Sequence, residues 1–405
     1  MATYYGRNTG GNWNSNSTWS TVSSSSSTNT GTFPGVADTA ILDSGSGNIT
    51  INVASTVLVF TCTGYTGTLA FNANLTMASN STLTLGSGMT VTADVATRRL
   101  ILGAGMTVTS NGVYLPVTVT CGGVTTSIYL FADDFECLHA GVSAAVNFNG
   151  NFRSSTSTTR RFKIRGDYYY NATVQSLSTN IIIFSMVGTG TYNNNGTLMA
   201  APLEFNTSGT ITINPSSHNI SNSQGFSVPT LKYVSGTIIT SGSTVFISNS
   251  TGAPNKIDTS GMTFDNVVIS ARQLELLSTL MATSITTGNQ SVGNYTISGV
   301  AGFQTDYLYL NNYTALGGSY RQLNLTYGNT YVVNKLISTP SPPSSISSIS
   351  STDATNKVVL TLNGGSNLIR CNLTRVDASN GVHINTIGVI TTCSNIGTST
   401  QNILI

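Results

Sequence analysis

Charged residues are scarce in this sequence. Sixteen Lys and Arg and fourteen Asp and Glu make up 7% of the 405 residues, against roughly 25% in an ordinary globular domain. The net charge is only +2, so the chain lacks the bulk attraction that nucleic acids or anionic membrane surfaces require. Neither partner is expected, and the surface must be covered mainly by Ser, Thr, Asn and Gly.

Long apolar runs and targeting signals are also missing. No stretch reaches the about 18 apolar residues of a membrane-spanning helix, so no membrane insertion is expected. The opening residues, MATYYGRNTGGNWN, contain no basic segment followed by an apolar one, so no secretory signal peptide is expected. The sequence predicts a chain that is made in a cytoplasm and is not secreted by a signal peptide.

Motifs for metals, cofactors and covalent catalysis are absent. The five cysteines are widely spaced and contain no Cys-x-x-Cys pair, which predicts buried free thiols. Cys137 and His139 are two residues apart, but no second pair of ligands accompanies them. There is no Gly-x-Ser-x-Gly motif and no phosphate loop. We therefore expect neither a metal site nor a cofactor.

Short alternating segments are abundant instead. In SGNITINVAST, Ile49, Ile51 and Val53 alternate with Asn and Thr, and NLTMASNSTLTLGSGMTVT continues the pattern. A period of two places one face inward and one outward, as in a β-strand. The segment 271–284, ARQLELLSTLMATS, fits either a strand pair or one short helix.

The segments also repeat. LTLGSGMTVT (83–92) returns as LILGAGMTVT (100–109), and PLEFNTSGTITI (202–213) aligns with PTLKYVSGTIIT (229–240). The offset in sequence between the two copies of each segment is close to the length of one coil of a β-solenoid. We predict an all-β chain forming an elongated right-handed parallel β-helix, with degenerate coils of roughly 17–27 residues. The predicted parts are an N-terminal cap or docking segment (1–37), the solenoid (38–336), a Ser/Pro-rich linker or loop (337–356), and C-terminal coils or a small β cap (357–405).

The two ends of the chain carry a resemblance. The opening GGNWNSNSTWS and FPGVADTAIL, and the closing NLTRVDASNGVHINTIGVITTCSNI, resemble the first and late coils of right-handed parallel β-helix proteins. Such sequences are common among phage virion proteins and bacterial surface proteins. The resemblance rests on motifs at the two ends alone, and it implies a fold more directly than a function.

The densest acidic segment is LFADDFECLHA, with Asp133, Asp134 and Glu136. Paired carboxylates on a β-helix face could perform the acid and base steps of a glycosidase or lyase. The alternative is structural. Asp134 precedes Arg161, and Glu136 precedes Lys163, by the same shift that relates the repeat at 202–213 to that at 229–240. On neighbouring coils these side chains would form salt bridges.

A basic and tyrosine-rich segment follows, RRFKIRGDYYY. A period of two places Arg161, Lys163 and Arg165 on one face. The neighbouring tyrosines suggest a binding surface for single-stranded nucleic acid, for sugar rings or for another protein, with ordinary packing as the remaining alternative. The tyrosines concerned are Tyr168, Tyr169 and Tyr170.

The only two tryptophans, Trp13 and Trp19, precede the first alternating strand. They could cap the first coil, dock the chain to a larger particle, or stack on sugar. We expect both to be buried against the first coil or against a neighbouring chain.

These features favour a non-enzymatic structural protein of a bacteriophage virion, either a tail fibre or spike or a capsid-decorating fibre. Its partners would be other virion proteins, further copies of itself (a trimer is possible) and a host-surface glycan, and its location would be the virion. One alternative is a polysaccharide depolymerase built on the same fold. The other is a bacterial surface adhesin or filament subunit.

Overall fold

The computed structural model is a parallel β-solenoid of about 11 turns, with 58% of residues in strands and 1% in helix. The predicted all-β solenoid is thereby confirmed. The structure describes residues 1–121, 127–131, 133–143, 146, 148–154, 158–171, 173–176, 180–248, 253–287, 295–310, 321–338, 347–364, 366–368, 371–374, 376–377, 384–386 and 403–404. Within these ranges no helix is long and apolar enough to cross a membrane.

The strands are short and follow one another closely along the chain. The first twenty are β1 Thr3–Gly6, β2 Gly11–Asn12, β3 Trp19–Ser20, β4 Thr39–Ile41, β5 Ile49–Ile51, β6 Ser55–Thr61, β7 Thr68–Phe71, β8 Leu75–Thr84, β9 Thr90–Ala93, β10 Arg99–Leu102, β11 Thr107–Thr109, β12 Tyr114–Cys121, β13 Ser127–Phe131, β14 Phe135–Ala140, β15 Gly150–Ser154, β16 Arg160–Ile164, β17 Tyr168–Tyr169, β18 Val174–Ser176, β19 Ile182–Met186 and β20 Gly190–Asn193. The others are β21 Leu198–Ala200, β22 Leu203–Ile213, β23 Ser217–Ser221, β24 Leu231–Ile239, β25 Thr244–Ser248, β26 Asn255–Asp258, β27 Thr263–Ile269, β28 Gln273–Leu276, β29 Leu280–Thr287, β30 Tyr295–Gly299, β31 Phe303–Leu310, β32 Arg321–Leu325, β33 Tyr331–Ser338, β34 Ser347–Ser351, β35 Val358–Leu362, β36 Ser366–Leu368, β37 Cys371–Thr374, β38 Val376–Asp377, β39 Ile384–Thr386 and β40 Ile403–Leu404. A 3-10 turn, Asn16–Thr18, lies between β2 and β3.

Parallel pairing between successive coils dominates the topology. A four-stranded sheet contains β2, β5, β7 and β9, and one large sheet contains most of the other strands. β1 and β3 form an antiparallel pair at the start of the chain. The chain divides into two compact units, residues 1–212 with 235–237, and residues 213–234 with 238–405.

The spacing between coils varies more than the sequence repeats suggested. In the second unit the step from Phe264 to its register partner Ala282 is much shorter than the step from Tyr331 to its partner Leu360. The shift between the repeats at 83–92 and 100–109 does not correspond to a coil, since Leu83 pairs with Val108 and not with Leu100. The two copies are the same strand–turn–strand unit placed at different positions around the coil.

The inward positions of the strands form the core. Ile49 and Ile51 are fully buried, as the alternation predicted. Val53 is only half-buried, because β5 ends at Ile51 and the alternation stops there. The segment 271–284 holds two strands, β28 and the start of β29, which confirms the strand alternative.

Among the described cysteines, Cys62, Cys121 and Cys137 are buried free thiols, as predicted. Burial raises the pKa of Cys121 to about 12 and raises the pKa of Cys62 further, so both stay protonated at neutral pH. The side chains of Cys371 and Cys393 lie outside the described residues.

Aromatic rings stack from coil to coil in the first unit. Phe162 is in register with Phe135 on one side and with Phe184 on the other. Its ring centroid lies 4.8 Å from that of Phe135 and 5.5 Å from that of Phe184. Such contacts add to the free energy gained by burying each ring.

We expect Phe162→Ala to lower the free energy of unfolding by about 3–5 kcal/mol, because it leaves a cavity between two stacked rings. Phe33→Ala is the matched control, since Phe33 is 39% exposed. Chemical denaturation monitored by circular dichroism measures both. Equal losses in the two variants would contradict the proposed importance of the aromatic column.

Candidate functional site: a charged ladder in the first unit

The acidic and basic segments lie on neighbouring coils, as their common offset predicted. β14 and β16 pair in parallel, and Glu136 is the register partner of Lys163. The basic side chains share the outer face, while Phe162 and Ile164 between them are fully buried. The sequence therefore positioned both segments correctly, with the charged side chains outward.

The side chains pair diagonally and not straight across. Lys163 Nζ lies 3.0 Å from Asp134 Oδ2, and Arg165 Nε lies 2.5 Å from Glu136 Oε1. Arg161 donates its backbone N–H to Asp134 Oδ1 at 2.8 Å. The predicted salt bridges Asp134–Arg161 and Glu136–Lys163 are thus wrong in their side-chain partners, because the side chains of Lys163 and Arg165 each reach back by two positions.

Arg161 turns instead toward a residue that the sequence reasoning missed. Its Nε and Nη2 donate to the Glu204 carboxylate at 3.0 and 3.3 Å. Ser185 Oγ donates to the same carboxylate at 2.8 Å. The Glu204 side chain is only 3% exposed. Hydrogen bonding to Glu204 raises the pKa of Arg161, so the guanidinium stays charged at neutral pH.

We call this set of six residues the charged ladder: Asp134, Glu136, Arg161, Lys163, Arg165 and Glu204. Glu204 had a signal in the sequence, since it is a lone acid between the apolar residues Leu203 and Phe205. Ser185 is its register partner on the preceding coil, at a spacing that none of the observed repeats shows.

The candidate catalytic carboxylates all have structural partners. Asp134 and Glu136 are paired within the charged ladder, and Asp133 accepts a hydrogen bond from Ser110 Oγ at 3.0 Å. A glycosidase needs one carboxyl group free to donate a proton and another free to attack or to activate water. Ion pairing and hydrogen bonding occupy these three groups, so the arrangement favours a structural role.

The tyrosines do not form the predicted surface. Tyr168 and Tyr170 are completely buried, and the hydroxyl oxygens of Tyr170 and Tyr192 lie 2.9 Å apart. Burial raises the pKa of both Tyr168 and Tyr170. The prediction of a binding surface is wrong for these two residues, because the strand alternation points them inward. Tyr169 alone among the three is half-buried.

Both tryptophans are buried, as expected. The rings of Trp13 and Trp19 are edge to face, with their centroids 4.9 Å apart. The ring of Trp13 also packs edge to face on that of Phe60 in β6, with centroids 5.5 Å apart. The indole Nε1 of Trp19 donates to the Trp13 carbonyl at 2.7 Å, and that of Trp13 donates to the Pro34 carbonyl. The residues thus pack the N-terminal segment onto the first coils, as a cap does.

His139 is held beside the charged ladder in its neutral form. Its Nδ1 accepts the Asp167 N–H at 2.8 Å, and a Cβ on Gly166 would lie 2.5 Å from the imidazole. Burial lowers the pKa of His139, and nearby Asp167 opposes that shift. In the described part of the chain, no group of three or more His, Cys, Asp or Glu side chains could hold a metal ion.

Comparisons with protein-family models, with curated proteins and with solved structures found no match to this chain.

We expect Arg161→Leu to lower the free energy of unfolding by about 3 kcal/mol, because it removes the guanidinium that pairs with the buried Glu204 carboxylate. The double variant with Glu204→Leu should be less destabilised than Arg161→Leu alone. The control is Arg98→Leu, which removes one partner of the exposed Asp94–Arg98 pair and should leave the midpoint of denaturation unchanged. Equal effects of the two arginine variants would show that the buried pair is unimportant.

We also expect thermal stability to fall as the pH drops below about 6.5, the ordinary pKa of histidine. The folded chain keeps His139 neutral, whereas the unfolded chain binds a proton there. The contribution of His139 to stability is therefore fully present above this pH and is lost as the pH falls toward the lowered pKa of the folded chain. His139→Asn retains an acceptor for the Asp167 N–H but cannot titrate.

Melting temperatures at about pH 7.5 and 5.5 test this expectation. The decrease should be smaller in His139→Asn than in the parent. It should not vanish, because burial also lowers the pKa of His218. An unchanged decrease in the variant would contradict a contribution from His139.

Proposed function

We propose that the chain is a non-enzymatic structural protein of a bacteriophage virion, a tail fibre, spike or capsid-decorating fibre that contacts the host surface. The observation that carries the proposal is the pairing of the candidate catalytic carboxylates in the charged ladder of a β-solenoid. The acids that a depolymerase would keep free are used here to join neighbouring coils. This supports a scaffold over an enzyme.

The character of the exposed surface gives further support. With 7% charged residues, the outward positions are mostly Thr, Ser and Asn, which pack and hydrogen-bond along stacked strands. Such a surface suits a durable particle component. It also suits contact with uncharged glycans better than with nucleic acid.

The N-terminal segment supplies groups for attachment. Trp13 and Trp19 are used within the chain, but Val22, Phe33 and Val36 remain 67%, 39% and 63% exposed. Apolar side chains left in water on a segment that already caps the first coils are suited to a protein contact. We propose that these residues face another virion protein or a further copy of the chain.

Immunogold electron microscopy tests the proposal, using an antibody raised against the purified chain on particles from a lysate of the cells that encode it. We expect label on the tail or the capsid of phage particles. Label on the bacterial envelope, with none on particles, would favour an adhesin. Release of reducing ends from host polysaccharide, abolished by Glu136→Gln, would instead show a depolymerase.

A further inference from the structure

The outer face of the second unit has a composition unlike that of the charged ladder. Five strands, β25, β27, β29, β31 and β33, pair in parallel there, one on each successive coil. Their outward side chains form two adjacent columns, which we call the polar and the apolar column. The polar column contains Thr244, Asn266, Ser284, Tyr307 and Lys335, and the apolar column contains Phe246, Val268, Thr286, Tyr309 and Ile337.

These side chains are accessible from outside. Nine of the ten are half-buried, as flat sheet positions between neighbours are, and Lys335 is exposed. Ser284 Oγ donates to Asn266 Oδ1 at 2.7 Å, and Asn266 Nδ2 donates to the Ser243 carbonyl at 3.3 Å, so these two polar side chains are held in place by the protein itself. Polar groups that are already oriented beside an apolar column cost less entropy to order when a ligand binds.

Two tyrosines lie side by side on this face. The rings of Tyr307 and Tyr309 are parallel within 15°, with centroids 6.0 Å apart. Lys335 Nζ lies 5.9 Å from the centroid of the Tyr307 ring, a distance at which a cation is attracted to the ring. Both rings are accessible on the outer strand face, in contrast to the buried Tyr168 and Tyr170 of the first unit.

The chemistry of the face selects its partner. One charge among ten outward side chains gives no row of cations for the phosphates of a nucleic acid. All five strands belong to the continuous stack of the solenoid, so the face offers side chains and not an open edge for strand addition. A sugar ring has an apolar C–H face and a rim of hydroxyl groups, which match the apolar column and the polar column.

The dimensions also suit a chain-like ligand. Neighbouring strands lie about 4.8 Å apart, so the centres of five strands span roughly 19 Å. This is long enough for several linked sugars, each of which can contact hydroxyl, amide or ring groups of the two columns.

We propose that this face binds an uncharged polysaccharide, with sugar rings packing on Tyr307 and Tyr309 and hydroxyl groups bonding to the polar column. The inference deepens the proposed function, because it names the host-surface ligand and places its site. The proposed function identifies the polysaccharide as one of the host surface, whereas the binding site itself is argued from the structure alone.

The test uses the purified full chain on an array of oligomers of glucose, mannose, galactose, rhamnose and N-acetylglucosamine, followed by calorimetric titration of the oligomer bound best. Tyr307→Ala and Tyr309→Ala should each weaken binding by about tenfold, since each removes a ring contact. Tyr309→Phe should retain most of the affinity. Tyr327→Ala is the matched control, because Tyr327 is 50% exposed and lies outside both columns.

Circular dichroism and melting temperature confirm that each variant is folded, and light scattering gives its oligomeric state. Absence of binding to every oligomer, or equal affinity in Tyr307→Ala, Tyr309→Ala and the parent, would overturn the proposal. So would a change of oligomeric state in the two alanine variants without a loss of glycan binding, which would show that a second copy covers the face. Binding here without label on virions would refute the phage role and leave the glycan site standing.

Discussion

Parallel hydrogen bonding between coils decides which side chains meet in this protein. Most described strands are paired with strands one coil before and one coil after, so a residue's neighbours are fixed by register and not by proximity in sequence. Phe162 meets Phe135 and Phe184 for this reason, and Glu136 lies beside Lys163. A shift of one residue would turn every inward side chain outward, so the apolar core and the outer columns depend on the same pairing.

The charged ladder shows how a chain with few charges uses them. Glu204 is nearly completely removed from water, which costs free energy unless the carboxylate is fully hydrogen-bonded. Arg161 and Ser185 supply such bonds from two different coils, so the register of the coils brings these groups to the carboxylate. We expect the pair to contribute more to the choice of register than to net stability, because apolar residues of similar size often replace a buried ion pair without loss of stability.

The sequence predicted what depends on a period of two and missed what depends on loop length. Alternation identified the strands, their inward residues and the outward row Arg161, Lys163, Arg165. It gave no exact coil spacing, because loops at the corners absorb insertions and make successive coils unequal in length. Glu204 was missed for that reason. The prediction of a tyrosine surface is wrong because it rests on composition, whereas the alternation places Tyr168 and Tyr170 inside.

The two outer faces illustrate different uses of the same backbone. In the first unit, opposite charges on adjacent coils satisfy one another, and little remains for a ligand. In the second unit, the outward columns contain almost no charge, and a ring pair lies beside hydroxyl and amide groups that are already oriented. A charged surface would exchange counter-ions with any partner and lose affinity in salt, whereas rings and fixed polar groups bind an uncharged polymer with little dependence on ionic strength. Low charge is therefore consistent with both proposals. For a structural protein, it avoids repulsion between like charges on neighbouring coils. For the polysaccharide site, it leaves a face with few strongly hydrated groups, so that sugars can displace water from it.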